Sequence, residues 1–326
     1  MKQKDLNSYR KYMEVEYGDV APEVCIPTPQ SMAELNDQVR AVYNLETVSE
    51  LTQEIRRCAV YPQLTSISID NTSFLREGYS VPVRVHYPEG KGPFPVVVLF
   101  HGGGFMMNNL DVYDSVHRYL ARFGNAVVIS VDYRLAPENK FPTGLEDCYV
   151  GLLWACENAA KYGGDISSLT VCGDSAGGNY AAVVSLLARD RKGPKIHKQV
   201  LIYPLVTFEM GRTESMRRYS KGYFLELDED VHALAGYFND PAKEMTSPYA
   251  SPLLAESHKG LPPALFISAE CDPILDQALI YAAKLQDEGV EIEFRLFKGM
   301  LHGFINRAYG KTFESLSVIC DSLPPL

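Results

Sequence analysis

The spacing in this chain best suited to chemistry is Gly173-Asp174-Ser175-Ala176-Gly177. A serine hydroxyl becomes a useful nucleophile only when a base takes its proton and the chain presents it clear of its neighbours. Gly-x-Ser-x-Gly meets the second need: it fits a sharp strand-to-helix turn that lifts the hydroxyl above a sheet. The glycines suit such a turn because backbones approach closely there and a Cβ would clash. The flanks agree, with the apolar run Leu169 to Cys172 leading in and a small-residue helical pattern, Ala181 to Ala188, leading out. The motif is short enough to arise by chance, so partners must be found elsewhere.

The base is expected to be a histidine oriented by a carboxylate, and behind such a serine the chain order is acid, then histidine. Two late histidines qualify. His258 lies in polar Ser257-His258-Lys259-Gly260, which reads as a surface loop. His302 follows the last strand pattern, in Gly299-Met300-Leu301-His302-Gly303-Phe304, and is the expected base. The acid belongs at the end of the preceding strand, where Ala264 to Pro273 offers Asp272 and Glu270. Pro273 suits the first turn of a helix, so Asp272 reads as helix cap and acid together. Glu270 is the alternative acid, and Asp276, a helical turn later, reads as support for the loop.

An attacked carbonyl develops negative charge that needs prearranged donors. His101-Gly102-Gly103-Gly104-Phe105 follows a buried strand and can turn backbone N–H groups inward. Gly103, Gly104 and the N–H of Ala176 are the expected oxyanion hole. His101 reads as a brace for that loop, not as a second base. Met106, Met107 and the aromatics of a later segment could line an acyl pocket or simply pack. No metal-ligand spacing is present, and Gly102-Gly103-Gly104 lacks phosphate-loop spacing, so no metal and no cofactor are expected.

The elements that must hold these residues alternate. Apolar runs at Pro95–Phe100, Ala126–Val131, Leu169–Cys172, Val200–Tyr203 and Ala264–Ser268, with a last strand at Ile292–Phe297, are separated by helical patterns. The helices are expected over Val112–Phe123, Leu145–Lys161, Ser175–Arg189 and Pro273–Glu288. Two alternating stretches, Leu64–Ile69 and Val81–Tyr87, suit antiparallel strands exposed on one face. The whole implies an α/β fold with an eight-stranded, mostly parallel sheet flanked by helices. Residues 1–60 are helical and polar and cannot close a core alone. Between Pro204 and Pro248 no strand pattern occurs; this stretch carries exposed-looking Phe208, Tyr219, Tyr223, Phe224, Tyr237 and Phe238 and a helix capped by Asp228. Residues 1–60 and 208–247 are therefore expected to form a two-part helical cap on a core of 61–207 and 248–326.

Composition narrows the function classes. The 326 residues are 46% hydrophobic, and 31 basic against 41 acidic side chains give a net charge of −10. That disfavours a nucleic-acid surface. No apolar run is long enough to span a membrane, and the N-terminus lacks the apolar core of a signal peptide. The seven cysteines, an odd number without Cys-x-x-Cys spacing, suit free thiols in a reducing cytoplasm.

Taken together, the motifs resemble the hormone-sensitive-lipase family (bacterial family IV type) of α/β-hydrolase carboxylesterases. The resemblance rests on His101 to Phe105, Asp132-Tyr133-Arg134-Leu135-Ala136-Pro137-Glu138, Gly173 to Gly178, Ser251 to Leu254, Asp272 to Asp276 and His302 to Phe304, in family order. It implies Ser175, Asp272 and His302 as a triad, Gly103, Gly104 and Ala176 as the oxyanion hole, and Glu138 and Asp174 as supports near the elbow. It also implies hydrolysis of short-to-medium acyl esters of small molecules, no cofactor and a possible homodimer. An amidase, N-deacetylase or lactone hydrolase could use the same triad. Plant gibberellin receptors of this family bind ligand without catalysis but lack the histidine that this chain has at 302.

Overall fold

Strands and helices follow each other in strict alternation through most of the computed structural model, which describes residues 67–209, 213–225, 227, 236–307 and 310–326. The strands are β1 Ser68–Arg76, β2 Tyr79–Tyr87, β3 Phe94–Phe100, β4 Val127–Val131, β5 Gly164–Asp174, β6 Lys198–Ile202, β7 Ala264–Cys271 and β8 Ile292–Leu301. They form one eight-stranded sheet in the order β1-β2-β4-β3-β5-β6-β7-β8. β1 and β2 are antiparallel to their neighbours, and the other pairs are parallel.

The continuous apolar runs are explained by burial on both faces. In β3, Val96, Val98 and Phe100 enter one core while Val97 and Leu99 enter the other. The first core is covered by α2 Thr143–Asn158, α3 Ala176–Asp190 and α6 Leu275–Asp287. The second is covered by α1 Asp114–Phe123 and α7 Thr312–Asp321. Each fully buried Val or Leu contributes roughly 1.5–3 kcal/mol of transfer free energy, so the sheet is a stiff platform for what stands on its edge.

Two expectations change. Of the first strand, expected over Leu64–Ile69, residues 64–66 lie outside the described residues; β1 takes in Ser68 and Ile69 and runs on to Arg76. Its position is set by the two-residue turn Glu77-Gly78, both with positive φ, which pairs Arg76 with Tyr79. Asp70 to Ser73 are tolerated because this edge strand is largely exposed. The helix α7 was not expected; it closes the second core through Leu316 and Ile319.

Within the stretch between Pro204 and Pro248 the described residues hold two short helices, α4 Glu214–Tyr219 and α5 Pro241–Glu244. Four of its six aromatics that read as exposed are buried: Phe208, Tyr219, Tyr237 and Phe238 are each at most 2% exposed. Phe208 and Phe238 pack edge to face at 4.8 Å, and the Phe208 ring also lies 5.8 Å from Phe105 of the glycine loop. The helix assigned to Asp228 and the expected cap segment 1–60 lie outside the described residues. Among the described residues no helix is long and apolar enough to cross a membrane. Five cysteines, Cys148, Cys156, Cys172, Cys271 and Cys320, are free, and burial pushes their thiols up.

Candidate active site

In the sheet order, β3 lies between β4 on one side and β5 on the other. The chain thus reverses direction of travel there, the point in an open α/β sheet beyond whose strand carboxyl ends ligands bind. His101-Gly102-Gly103-Gly104 follows β3, and Ser175 follows β5. Asp272 and His302 follow β7 and β8 in the same way. Four loops, far apart in sequence, are brought to one edge because parallel strands present all their C-terminal ends together.

Ser175 sits at φ 55, ψ −116, a conformation a side-chain-bearing residue rarely adopts. Such strain costs roughly 1–3 kcal/mol and persists only where the surroundings impose it. Here the Ser175 N–H donates to the Ile202 carbonyl at 2.9 Å, and its carbonyl accepts from Asn179 N–H at 3.0 Å. The neighbouring glycines are required by close approach. A Cβ on Gly177 would lie 2.0 Å from the Phe100 carbonyl oxygen, and one on Gly173 would lie 2.2 Å from that of Gly177.

The Ser175 Oγ–H donates to His302 Nε2 at 2.8 Å, and His302 Nδ1–H donates to Asp272 Oδ2 at 2.7 Å. The carboxylate on one side fixes which imidazole nitrogen is left to accept on the other. Asp272 and His302 are buried, and Ser175 is partly exposed. The second oxygen of Asp272 accepts the Ile274 N–H at 2.9 Å, so the residue closes the turn before α6 while it orients the histidine. Glu270 does other work: its Oε2 accepts the Gly299 N–H at 2.7 Å and holds the loop that carries His302.

The glycine loop His101–Phe105 is fixed peptide by peptide. The His101 carbonyl accepts from Tyr133 Oη–H at 2.6 Å, while the Gly102 N–H donates to Asp174 Oδ1 at 2.7 Å. The Gly102 carbonyl accepts from His101 Nδ1–H at 2.8 Å. The Gly103 carbonyl accepts from Met106 and Met107 N–H at 3.0 and 2.9 Å. Gly103 and Gly104 have φ of 124 and 58, so side chains are disfavoured at both. Ala176 opens α3, where a first-turn N–H has no acceptor within the helix. The N–H groups of Gly103, Gly104 and Ala176 together with the line Ser175–His302–Asp272 are the kinds of group from which an acyl-transfer site can be built.

The supports are polar and buried. Asp174 Oδ2 accepts from Tyr113 Oη–H at 2.8 Å and Tyr203 Oη–H at 3.2 Å. Burial pushes its carboxyl up to about 6 against these donors. Tyr203 Oη also accepts the Ile305 N–H at 3.2 Å, and its ring lies 4.7 Å from that of His302. Tyr203 thereby joins the elbow to the base loop. His101 is enclosed and stacked on Tyr133 at 4.3 Å, and burial lowers its imidazole to about 4. Glu138 lies exposed in the turn after Pro137, whereas Asp174 is at the centre of the site.

The stretch between Pro204 and Pro248 touches every loop of the site. Asn179 Nδ2 donates to the carbonyls of Leu205 and Ala250, each at 2.8 Å, pinning both of its ends to the helix behind Ser175. Asp276 accepts the Ser215 N–H at 3.0 Å, which ties α4 to the acid loop. Phe224 packs on Gly303, where a Cβ would lie 2.8 Å from its Cε1. Tyr237 stacks on Phe105 of the oxyanion loop at 4.1 Å. Met106 is fully buried and serves as packing.

His258 is not on the surface. It is fully buried, with Nε2–H donating to the Pro252 carbonyl at 2.9 Å and Nδ1 paired with Glu288 at 3.1 Å. The polar letters around it, Ser257 and Lys259, concealed a ring enclosed against Tyr281. Tyr113, Tyr203 and Asn179 carried no signal of their own in the sequence, because their partners lie tens of residues away, and Tyr133 stood in a motif without showing that it holds the His101 carbonyl.

Comparison with known proteins follows the same lines. Residues 97–306 match the model of a family described as alpha/beta hydrolase fold. The chain is 40% identical over 249 residues to an arylesterase of Saccharolobus solfataricus, covering 76% of this chain and 79% of that protein. It is 39% identical over 272 residues to carboxylesterase NlhH of Mycobacterium tuberculosis, covering 81% and 80%. Among solved structures, EstE1, a thermophilic carboxylesterase cloned from a metagenomic library, superposes with a TM-score of 0.82 at 35% identity, covering 90% of this chain and 100% of that one.

Proposed function

This chain belongs to the alpha/beta hydrolase family, in the hormone-sensitive-lipase branch its motifs resemble, and we propose that it is a serine carboxylesterase acting on short-to-medium acyl esters of small molecules. The observation that carries the reading is the unbroken hydrogen-bonded line Ser175–His302–Asp272 at the strained elbow. The names of the relatives, arylesterase and carboxylesterase, support an ester as substrate.

In the proposed reaction, Ser175 Oγ attacks the ester carbonyl carbon as His302 Nε2 takes its proton. The carbonyl electron pair moves to oxygen, which lies against the N–H groups of Gly103, Gly104 and Ala176. Asp272 stabilises the imidazolium. Collapse of the tetrahedral species expels the alcohol, which receives its proton from His302. Water then gives a proton to His302 and attacks the acyl-enzyme, and collapse of the second tetrahedral species releases the carboxylic acid while His302 returns that proton to Ser175 Oγ.

The proposal includes a cap built from 1–60 and 208–247; the contacts of Phe208 and Tyr237 with Phe105, of Ser215 with Asp276 and of Phe224 with Gly303 support a role of its second part in bounding the acyl site. It also includes a cytoplasmic location, in keeping with five free described cysteines, and a possible homodimer, which light scattering of the purified protein would test. A series of p-nitrophenyl esters from acetate to palmitate, run beside the matched anilides, tests the substrate class. Hydrolysis concentrated at the short and middle esters is expected. Faster turnover of anilides than of esters would overturn the reading in favour of an amidase.

A further inference from the structure

One side chain of the oxyanion loop has a single task. Asn108 is 5% exposed, and its Nδ2 donates to the Gly102 carbonyl at 2.9 Å. Its Oδ1 is buried and accepts no hydrogen bond among the described residues. Its φ is 73, in the left-handed region that Asn tolerates better than most residues and Gly freely. A Cβ on Gly103 would fall 2.9 Å from Asn108 Nδ2, so the amide lies packed directly against the peptide it binds.

The direction of that peptide matters. In a planar trans peptide the C=O and N–H point opposite ways, so whatever holds the carbonyl aims the amide hydrogen. The carbonyl of Gly102 belongs to the same peptide as the N–H of Gly103. Two donors hold it, His101 Nδ1 from the adjacent residue and Asn108 Nδ2 from across the loop. The next peptide is treated alike, its Gly103 carbonyl taking two backbone N–H groups. The N–H groups of Gly103 and Gly104 are thus each set by a pair of hydrogen bonds on the carbonyl of the same peptide, and Asn108 is the side chain from beyond the glycines that bonds the Gly102 carbonyl.

We propose that Asn108 is a positioning residue for the oxyanion hole: by holding the Gly102 carbonyl it aims the Gly103 N–H at the oxygen that becomes negative in the transition state. The proposal rests on the esterase reading above. It distinguishes Asn108 from a residue that merely satisfies a buried carbonyl, because an aiming role acts on the transition state and leaves ground-state binding alone.

Asn108→Gly removes the amide and keeps a residue at ease with φ 73. Its kcat on p-nitrophenyl butyrate is expected to fall about five- to tenfold with KM within about twofold, less than the roughly hundredfold or greater loss of an oxyanion donor itself. Affinity for a trifluoromethyl ketone, which adds Ser175 Oγ to its carbonyl and places the resulting oxyanion in the hole, should fall by the same factor. Unchanged kcat and unchanged ketone affinity would overturn the proposal. End-point labelling with a fluorophosphonate confirms a folded site, and Asn108→Asp, which keeps the shape without the amide donor, is read in the same way if the glycine variant fails to label. Failure of both variants to label, with the wild type labelling fully, would also overturn it, making Asn108 a folding residue. If the wild type itself neither hydrolyses esters nor takes the label, the esterase reading fails instead.

Discussion

Replacing Tyr203 with Phe removes one oxygen from the junction between the elbow and the base loop. That oxygen donates to Asp174 at 3.2 Å and accepts from Ile305 N–H at 3.2 Å. Asp174 keeps its bonds from Gly102 and Tyr113, so the elbow side stays anchored. Ile305 does not: it is 1% exposed, and its N–H loses its partner. A buried donor left unsatisfied costs about 1–3 kcal/mol, so the unfolding free energy should drop by roughly 2 kcal/mol. The phenyl ring still faces His302, so ring packing is preserved and the effect isolates the hydroxyl. Loss of the tether lets residues 303–306 shift, and a misplaced base lowers kcat by about tenfold with little change in KM. Urea denaturation reads the first effect as a lower midpoint at constant slope. Steady-state kinetics on p-nitrophenyl butyrate reads the second. A variant with lowered midpoint and wild-type kcat would refute the reasoning, since the bond would then hold the fold without holding the base.

Other outcomes follow from the same geometry. Asp272→Asn should lower kcat by about 10⁴-fold through the wrong histidine tautomer, whereas Glu270→Gln, which keeps an acceptor for Gly299 N–H, should cost less than about tenfold; equal losses in the two variants would reopen the choice of acid. Asp147 is fully buried and paired with Arg76 and Arg134, each at 2.8 Å, so Asp147→Ala should destabilise by about 3–5 kcal/mol, visible as a large drop in the urea midpoint. His101 titrates near 4 in the fold against 6.5 ordinarily, because burial disfavours its charge. The unfolded chain therefore takes the proton first, and stability present above pH 6.5 falls as pH drops toward 4, by up to roughly 3 kcal/mol. Burial lowers His86 and His117 in the same direction, so a urea midpoint that stays flat from pH 7 to pH 4 would contradict all three assignments.

Much of the candidate site is legible in the sequence, and the reason is local. Gly173, Ser175 and Gly177 announce a turn by spacing alone, and His302 and Asp272 stand where strand patterns end. What could not be read depends on partners distant in the chain. Tyr203 meets Asp174 and Ile305, and Asn179 meets Leu205 and Ala250, through contacts no local pattern encodes. His258 misled because its polar neighbours describe the loop and not the ring, which turns inward to Glu288. The aromatics Phe208, Tyr237 and Phe238 misled for a related reason. In a segment without periodicity nothing says which way a ring faces, and here they face Phe105 and Phe141. The extension of the first strand from Asp70 to Arg76 had no signal because its end is set by the Glu77-Gly78 turn and not by its own alternation.

The central claim is that Ser175, activated by His302 and Asp272, is the nucleophile of an esterase. Treatment with a fluorophosphonate, followed by intact-mass measurement and peptide mapping, tests it most directly. One adduct per chain is expected, located on Ser175, with ester hydrolysis lost in proportion to labelling and no adduct on Ser175→Ala. Labelling at another residue, or full ester hydrolysis by Ser175→Ala, would contradict it.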